Sequence, residues 1–359
     1  MPSPPDADAE AAVTAAATAV LGGAPQRLER LPGGMNNAVY RFDLDGRQLV
    51  AKVYFTHAED PRDRLATEFE MSSFLWERGS RCIPGPVGMS RAHGTAFYSY
   101  VEGSRLSQGS VTKVDLDQYG QFVLHMWRLS RHPDARRLPN AADAAFTMLD
   151  RLSTVSNRLQ WLQDAIDPAA ARARDFLVTE AAPLLQRLQD WGQELAGAAG
   201  TSMDEPVEEA ERTLSPGDVG LHNCLRAPAG LVFHDFEYGG WDDVAQVIVQ
   251  TCLAPGVPVP PELHSQALAR MVDRVGGGHL LALRVTFFYR VLAVKWALIM
   301  LNELVQVGRA RRSFSGADVD DHEAARVAKA RGMLDVAELA LDPGLLDTGT
   351  ALPVEVRRR

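Results

Sequence analysis

Apolar and polar residues alternate in two short runs in the first part of the chain, and this pattern predicts a β-hairpin. Residues 38–44 and 48–55 are rich in β-branched and aromatic side chains, which favour strands. The pair Asp45-Gly46 lies between the two runs, and Asp-Gly in that position is a strong signal for a tight turn. We therefore expect two antiparallel strands here.

The segments around this hairpin complete a small α+β unit. A helical pattern covers residues 9–20 and is followed by a Gly-Gly pair, and a second helical pattern covers residues 62–78 and ends at Gly79. A further pair of strands is predicted around residues 84–102.

From about residue 115 onward, apolar positions recur at the three- and four-residue spacing of a helix. The pattern continues through residues 145–163 and 169–197 and, after a loop, gives way to a β-rich interval at 213–239. Helical patterns then cover the chain to about residue 341.

This change of pattern predicts an α+β protein with two lobes, because 359 residues are too many for one compact core. We expect an N-terminal helical extension at residues 1–19 and a small, β-rich N-lobe at residues 20–102. A larger helical C-lobe is expected at residues 103–345, followed by a tail at 346–359.

Charge and cysteine content argue against several classes of protein. The net charge is −9 at pH 7, so we expect no nucleic-acid partner. The three cysteines are not spaced as a zinc site, and their odd number argues against a disulfide framework, which favours a reducing, cytoplasmic location. Residues 1–20 are Ala-rich and acidic, unlike a signal peptide.

The longest apolar stretch covers residues 280–304, and it predicts a buried core helix. Arg284, Arg290 and Lys295 interrupt this stretch, and a membrane span would not carry three cations near its middle. We therefore expect no membrane partner.

Candidate chemistry begins at a turn before the predicted hairpin. Gly33, Gly34, Asn36 and Asn37 lie together there, and glycines let backbone N–H groups approach phosphate oxygens closely. An ordinary turn would use the same residues, so this segment indicates a phosphate-binding loop only in combination with other motifs.

Lys52 lies in an apolar strand pattern, in a chain where only four of the 37 basic residues are lysines. Protein kinases place a lysine at the end of a similar Val-Ala-x-Lys strand, where it reaches the α and β phosphates. A strand lysine can instead extend to solvent. Glu68 and Glu70 on the next predicted helix are candidate partners, and only one of them can face the strand.

Asp218 and Asn223 lie five residues apart in the segment Leu214-Ser-Pro-Gly-Asp-Val-Gly-Leu-His-Asn. Protein kinases use this spacing for a catalytic base and a Mg²⁺ ligand. A carboxylate can accept the proton of a hydroxyl group while a nearby amide oxygen holds the metal. Asp-x₄-Asn is common by itself, so the order of the motifs carries the inference.

An apolar strand ends at Asp235-Phe236-Glu237, twelve residues after Asn223. An Asp-Phe-Gly at this point supplies the metal-binding carboxylate of protein kinases, whereas a hairpin-end aspartate can simply cap a turn. His234 and Cys224 are interpreted as structural residues.

Together these motifs resemble the aminoglycoside phosphotransferase and choline kinase family over residues 28–305, and most closely over residues 214–243. Asp218, Asn223, Asp235 and Glu237 match the family's Asp-x₄-Asn and Asp-Trp/Phe-Glu motifs. The resemblance implies a two-lobed protein-kinase-like fold with the nucleotide between the lobes.

The resemblance also implies roles for residues of the N-lobe. Gly34 and Asn37 match the glycine loop, and Glu68 matches the partner of the phosphate lysine. The segment 97–103 matches the hinge, where backbone groups near Ser99 and Val101 would hold adenine.

Two further positions in the large lobe bear on the resemblance. Asp243 matches an aspartate often found eight residues after the metal-binding one, and we interpret it as a helix N-cap with scaffold contacts. Pro216 departs from the pattern, because a histidine usually stands there. That histidine is normally a scaffolding residue, so its loss need not end activity, but the departure is the main support for the alternative of a catalytically degenerate member.

The expected activity is transfer of the γ-phosphoryl group of ATP or GTP, with Mg²⁺, to a hydroxyl of a small metabolite. Asp218 would be the base, and Asn223 and Asp235 would hold the metal. A sugar or other carbohydrate, an amino alcohol and an aminoglycoside are all compatible acceptors. The alternative from another class is a pseudokinase that binds nucleotide without transferring phosphate.

A polar stripe on the long apolar helix is a candidate acceptor site, together with Glu237. Arg284, Lys295 and Asn302 are spaced by eleven and seven residues and fall within roughly 20° of one another around a helix. The stripe forms either a thin solvent-exposed edge or one wall of the acceptor pocket. The second alternative favours a hydroxyl-rich or anionic acceptor over a polycationic one.

Overall fold

A five-stranded antiparallel sheet with strand order β1-β2-β3-β5-β4 forms the small lobe. The computed structural model describes residues 5–32, 37–54, 62–218, 220–305 and 323–339. The strands and helices of this lobe are α1 (Pro5–Leu21), β1 (Gln26–Arg30), β2 (Asn37–Leu44), β3 (Arg47–Tyr54), α2 (Arg64–Glu77), β4 (Pro86–Ser90) and β5 (Thr95–Ser99).

The hairpin predicted from the Asp-Gly pair is confirmed by strands β2 and β3. Leu44 pairs with Arg47, and the two turn residues Asp45 and Gly46 have φ angles of 48° and 73°. Both central residues therefore have the left-handed backbone that a tight hairpin turn requires.

Helix α1 packs against the sheet and belongs to the core of the small lobe. Val13, Ala16 and Ala17 of this helix are fully buried in one cluster with Tyr40 and Phe42 of β2. The helix expected as a separate extension thus covers one face of the sheet, and its small alanines allow close approach.

The large lobe is mainly helical, as predicted. Its helices are α3 (Lys113–Leu129), α4 (Met148–Ala165), α5 (Ala171–Phe176), α6 (Ala182–Ala198), α7 (Val244–Leu253), α8 (His264–Arg274), α9 (His279–Met300) and α10 (Glu323–Glu338). A π-helical turn at Leu177–Ala181 joins α5 to α6.

Helix α9 runs through the centre of this lobe. It lies in the apolar segment His279–Leu304, which by length and composition could cross a membrane, but 78% of an 18-residue apolar stretch of this segment is buried inside the protein. Phe287, Phe288 and Leu292 of α9 are completely buried. This burial is that of a core helix, as the interrupted apolar pattern predicted.

Short strands of the large lobe position the loops that face the small lobe. They are β6 (Ser104–Arg105), β7 (Arg212–Ser215), β8 (Cys224–Ala227), β9 (Gly230–Phe233) and β10 (Gly240–Asp243). β7 pairs with β10, and β8 pairs with both β6 and β9. As a result, the loop after β7 and the loop after β9 lie side by side, and the His234 N–H donates to the Asn223 carbonyl at 3.0 Å.

Candidate active site

Lys52 lies at the centre of the cleft between the lobes and is buried. It points from β3 toward α2, where its Nζ donates to Glu68 Oε2 at 2.5 Å. The Tyr54 hydroxyl donates to the same oxygen at 2.8 Å. Glu70 is half exposed and lies near Arg91 instead, so the glutamate of α2 that faces the strand is Glu68.

The same lysine connects the small lobe to the large one. Its Nζ also donates to Asp235 Oδ1 and lies 3.8 Å from Glu237 Oε2. Carboxylate oxygens of Glu68, Asp235 and Glu237 all lie within 4.8 Å of one another. Lys52 therefore stands among three acidic groups and does not extend to solvent.

The electrostatics of this group follow from burial and close pairing. Burial alone would lower the pKa of Lys52, but Asp235, Glu68 and Glu237 raise it well above its usual value, so the lysine is charged. Burial raises the pKa of Glu68 to about 7, although Lys52 opposes the shift. Burial raises the pKa of Asp235, but the charge and hydrogen bond of Lys52, together with His234 and His222, lower it by more, so the net shift is downward.

Backbone geometry directs the Asp-Phe-Glu segment into the cleft. Asp235 has a φ of 73°, a left-handed conformation that is uncommon for residues other than glycine. Glu237 is almost fully buried and accepts a hydrogen bond of 2.6 Å from Asn37 Nδ2 at the start of β2. Glu237 and Asn37 therefore lie at the Lys52 end of the cleft.

The loop that carries Asp218 is held by its own neighbours. The Gly217 N–H donates to Ser215 Oγ at 3.0 Å, and Asn223 Nδ2 donates to the Asp218 carbonyl at 3.1 Å. His222 Nε2 lies 3.3 Å from Asp218 Oδ2. Burial lowers the pKa of His222, but Asp218 raises it by more, so the net shift is upward.

The second carboxylate oxygen of Asp218 has a different environment. Oδ1 is buried and has no hydrogen-bond partner among the described residues. Buried polar atoms are nearly always hydrogen-bonded, so an orphaned carboxylate oxygen needs an explanation. A hydroxyl group delivered by a substrate would satisfy it.

The donor set beside this aspartate fits a hard divalent cation. The side-chain amide of Asn223 donates through Nδ2 to the loop backbone, which leaves its oxygen as the group available to a metal. The hairpin β8–β9 brings Asn223 beside His234, the residue before Asp235. One amide oxygen and one carboxylate are ligands that Mg²⁺ accepts while it keeps waters and phosphate oxygens.

The two predicted adenine contacts in the hinge between the lobes differ in their backbone hydrogen bonds. The Ser99 N–H already donates to the Gly85 carbonyl at 2.8 Å, and the Tyr100 N–H donates to Gln48 at 3.2 Å. Val101 forms no backbone hydrogen bond within the described part of the chain. Of the two predicted adenine contacts, Val101 is therefore the better placed. Gly33, Gly34 and Asn36 lie outside the described residues.

Arg284 and Lys295 of the polar stripe are buried on α9, which contradicts a solvent-exposed edge at these two positions. Asn302 is half-buried and lies in a 3₁₀ turn after α9, not on the helix as expected. Arg284 donates to Asp243 at 2.8 Å and to Glu211 at 2.9 Å, which assigns it a scaffold position. Asp243 also caps α7 by accepting from the Ala245 N–H at 2.8 Å, and this confirms the predicted N-cap.

The rest of the stripe and Glu237 have different partners. Lys295 bonds the Asp143 carboxylate, and Asn302 Oδ1 accepts from Arg158 at 3.3 Å. Glu237, which was grouped with them as an acceptor contact, lies beside Lys52 instead.

Several residues of the site are not evident from the sequence motifs. His222 stands beside Asn223, where its contact with Asp218 depends on the turn at residues 220–223. Tyr54 ends a predicted strand two residues after Lys52, and that same-face spacing is the signal that could have identified it. No sequence pattern near Arg158 identifies it, because the residues close to it, such as Asn302, come from distant segments of the chain.

Residues 27–273 match the model of a protein family described as the phosphotransferase enzyme family. A comparison with curated proteins gives no match.

The fold is similar to those of known small-molecule kinases. A choline/ethanolamine kinase family protein from Mesorhizobium loti has a TM-score of 0.60 and 16% identity, covering 96% of this chain and 98% of that one. The choline kinase LicA from Streptococcus pneumoniae has a TM-score of 0.54 and 16% identity, covering 89% and 96%.

Amicoumacin kinase hAmiN, in complex with AMP-PNP, Ca²⁺ and Ami, has a TM-score of 0.55 and 13% identity, covering 92% of this chain and 91% of that one. These likenesses confirm the predicted two-lobed kinase-like fold.

Proposed function

The chain belongs to the phosphotransferase enzyme family, and we propose that it transfers the γ-phosphoryl group of ATP or GTP to a hydroxyl of a small metabolite such as a carbohydrate. The observation that carries this proposal is the convergence of Lys52, Asp218, Asn223 and Asp235 on one cleft. The fold likeness to hAmiN, whose structure contains AMP-PNP and Ca²⁺, supports a nucleotide and a divalent cation.

Each polar group has a defined task in this mechanism. Lys52, held by Glu68, would contact the α and β phosphates of the nucleotide, and the Val101 backbone would contact its adenine or guanine ring. Asn223 and Asp235 would hold Mg²⁺, and the bound ion would supply neutralisation of charge on the phosphate oxygens. Because little covalent work is asked of the protein, positioning and charge neutralisation dominate the rate.

Asp218 orients and deprotonates the acceptor hydroxyl. His222 and the loop backbone hold the aspartate, and its buried Oδ1 is the oxygen available to the hydroxyl. General-base catalysis of this kind contributes about 10²- to 10⁴-fold to a rate.

The first test is nucleotide binding. The Tm should rise when ATP or GTP is added with Mg²⁺, because a ligand that binds the native state stabilises it by mass action. The rise should be smaller when EDTA replaces Mg²⁺. A Tm that no nucleotide changes at millimolar concentration would exclude both a kinase and a nucleotide-binding pseudokinase.

The second test separates the two aspartates, using labelled ATP, a pooled library of hydroxylated metabolites and mass-spectrometric detection. Asp218→Asn should abolish transfer and leave nucleotide affinity within about threefold, because it removes the base and not the metal site. Asp235→Asn should weaken binding of the Mg²⁺–nucleotide complex as well. Asp190→Asn, at an exposed position on α6, is the matched control and should change neither.

The outcomes discriminate between the candidate functions. Transfer by Asp218→Asn within a few-fold of wild type would show that the base is assigned to the wrong residue. Nucleotide binding by the wild type without transfer to any acceptor would favour the pseudokinase, to which Pro216 points.

A further inference from the structure

A second polar cluster lies in the large lobe, and we call it the Asp143 cluster. Its members are Asp143 in the loop before α4, Arg151 and Arg158 of α4, Lys295 of α9 and Asn302 after α9. Lys295 Nζ bonds the Asp143 carboxylate, and Arg151 approaches the same carboxylate at 3.2 Å. Thus distant segments of the chain contribute to one group.

The Asp143 cluster adjoins the Asp218 loop through Tyr238. The Tyr238 carbonyl accepts a hydrogen bond of 3.1 Å from the Ala142 N–H. A Cβ atom on Gly217 would lie 2.4 Å from the same carbonyl. Asp143 and Asp218 are the next residues along these two loops, so the cluster lies beside the proposed base.

The cluster also faces the small lobe. Arg62, which precedes α2, places its guanidinium 5.0 Å from the centre of the Tyr238 ring. Burial lowers the pKa of Arg158, the nearby charge of Asp143 opposes this, and the charge of Arg62 lowers it again, so the net shift is downward. Residues of both lobes therefore bring positive charge to one part of the cleft.

Cations outnumber carboxylates in this cluster. Arg151, Arg158 and Lys295 surround Asp143, and Asp242 lies 3.7 Å behind Arg151. Burial raises the pKa of Asp242 to about 7, so that near neutral pH it carries only part of a negative charge. Arg151 is completely buried and Lys295 nearly so, and buried cations in excess of their counterions are costly.

Arg158 is the member best placed to take a ligand. It is half-buried, and among the described residues its guanidinium forms no salt bridge and bonds only the neutral amide of Asn302, at 3.3 Å. The planar fork of a guanidinium fits carboxylate and phosphate oxygens in pairs. Asp143, about a third exposed, marks the side on which the cluster opens to solvent.

We propose that the Asp143 cluster binds an anionic group of the acceptor, so that the acceptor carries a carboxylate or a phosphate in addition to its hydroxyl. This inference rests on the proposed kinase function. Arg158 takes the anion, Lys295 adds charge from the opposite helix, and the Asn302 amide adds a polar contact. Asp143 is already neutralised by Lys295 and Arg151, so it holds the cations in place and does not attract an amine.

Binding can be measured without catalysis. The protein, saturated with Mg²⁺ and AMP-PNP, is titrated calorimetrically with glucose, glucosamine, glucuronate, glucose 6-phosphate and inorganic phosphate. We expect the anions to bind at least tenfold more tightly than glucose or glucosamine. Glucuronate and glucose 6-phosphate distinguish a carboxylate from a phosphate ester, and inorganic phosphate tests the anion site even if the acceptor is not a hexose.

Variants assign any binding to the cluster. Arg158→Gln should weaken anion binding at least tenfold and leave the AMP-PNP Kd within about twofold, and Arg158→Lys should recover part of the loss. Arg172→Gln, at an exposed position on α5, is the matched control and should behave as wild type. The Tm of each variant shows whether it has folded.

The two proposals fail in different ways. Wild-type protein that binds none of the anions, or an Arg158→Gln protein that binds them equally well, overturns the anion site. Phosphoryl transfer to glucose or glucosamine that Arg158→Gln leaves unchanged overturns it as well, yet supports the kinase. Anion binding lost in Arg158→Gln, with no transfer to any acceptor, retains the anion site and contradicts the kinase activity.

Discussion

Substitution of Gly217 by alanine should uncouple nucleotide binding from phosphoryl transfer. Gly217 precedes the proposed base and has a φ of 85°, a left-handed backbone that disfavours side chains. A Cβ atom there would lie 2.4 Å from the carbonyl carbon and oxygen of Tyr238. Neither atom belongs to a flexible side chain, so the Asp218 loop itself must move.

The size of the effect follows from this geometry. Left-handed backbone costs a residue with a side chain about 1–2 kcal/mol, and an overpacked contact adds about 1–3 kcal/mol. That loss is smaller than the stability of a typical domain, about 5–15 kcal/mol, so the variant should fold. Real Cβ atoms essentially never approach within 3.0 Å, so moving from 2.4 Å to 3.0 Å requires a shift of at least about 0.6 Å. Misplacement of about 1 Å can reduce a rate about 100-fold.

The assay measures two rates. One is phosphoryl transfer from ATP to the best acceptor found in the metabolite screen, and the other is hydrolysis of ATP by water. We expect kcat to fall about 100-fold while the nucleotide Kd changes less than tenfold, because Lys52 and Asp235 stay in place. Gly197→Ala is the matched control: it lies in α6, and a Cβ atom would meet nothing within 4 Å. Wild-type kcat in Gly217→Ala, or an equal loss in Gly197→Ala, would refute the argument.

Three further substitutions test the packing around the site. Lys52→Met leaves the buried carboxylates of Glu68 and Glu237 and the partly exposed one of Asp235 without their cation. In EDTA the Tm should therefore fall, with about 3–5 kcal/mol lost by thermal unfolding, and ATP affinity should drop at least tenfold. Arg284→Met should lose a similar free energy by leaving the buried carboxylate of Asp243 and the partly exposed one of Glu211 without their cation. The acceptor KM of the folded enzyme should not change, and a raised KM would contradict the scaffold assignment. Burial lowers the pKa of His264 below its usual 6.5, so its stabilisation is present above that pH and lost as the pH falls. The free energy of unfolding, measured by urea titration at pH 7 and at pH 5, should therefore differ less between the two pH values in His264→Gln than in wild type. An equal difference in the two proteins would refute this.

Local patterns predicted most of the secondary structure because the determinants lie close together in the chain. The Asp45-Gly46 turn specifies its own backbone, and the alternation in β2 and β3 specifies which side chains face the core. Lys52 was identifiable because a lysine in a buried strand is unusual. The choice of Glu68 over Glu70 depends on the angle at which α2 meets the sheet, and no local pattern encodes that angle.

The cationic part of the cleft shows where such prediction ends. Lys295 and Asn302 were singled out by their helical spacing, but Arg158 and Asp143 come from segments more than 130 residues earlier in the chain. Each has the ordinary appearance of a charge on a helix or in a loop. They form a cluster only in the folded protein, where tertiary packing surrounds Asp143 with three cations. Helical spacing alone therefore could not predict that Arg284 and Lys295 are buried.

Pro216 is weak support for a catalytically degenerate protein once the contacts of Asp218 are considered. The usual histidine two residues before the base is missing, but His222 reaches the same carboxylate from four residues after it, at 3.3 Å. The His222 ring is closely packed, because Cβ atoms on Gly220 and Gly256 would lie 2.4 Å and 3.0 Å from ring atoms. An imidazole packed in this way restricts the aspartate to one orientation, which is what a base requires before the hydroxyl arrives. In this loop His222 contacts Asp218 although Pro216 replaces the usual histidine. Loss of that histidine therefore does not by itself predict loss of activity.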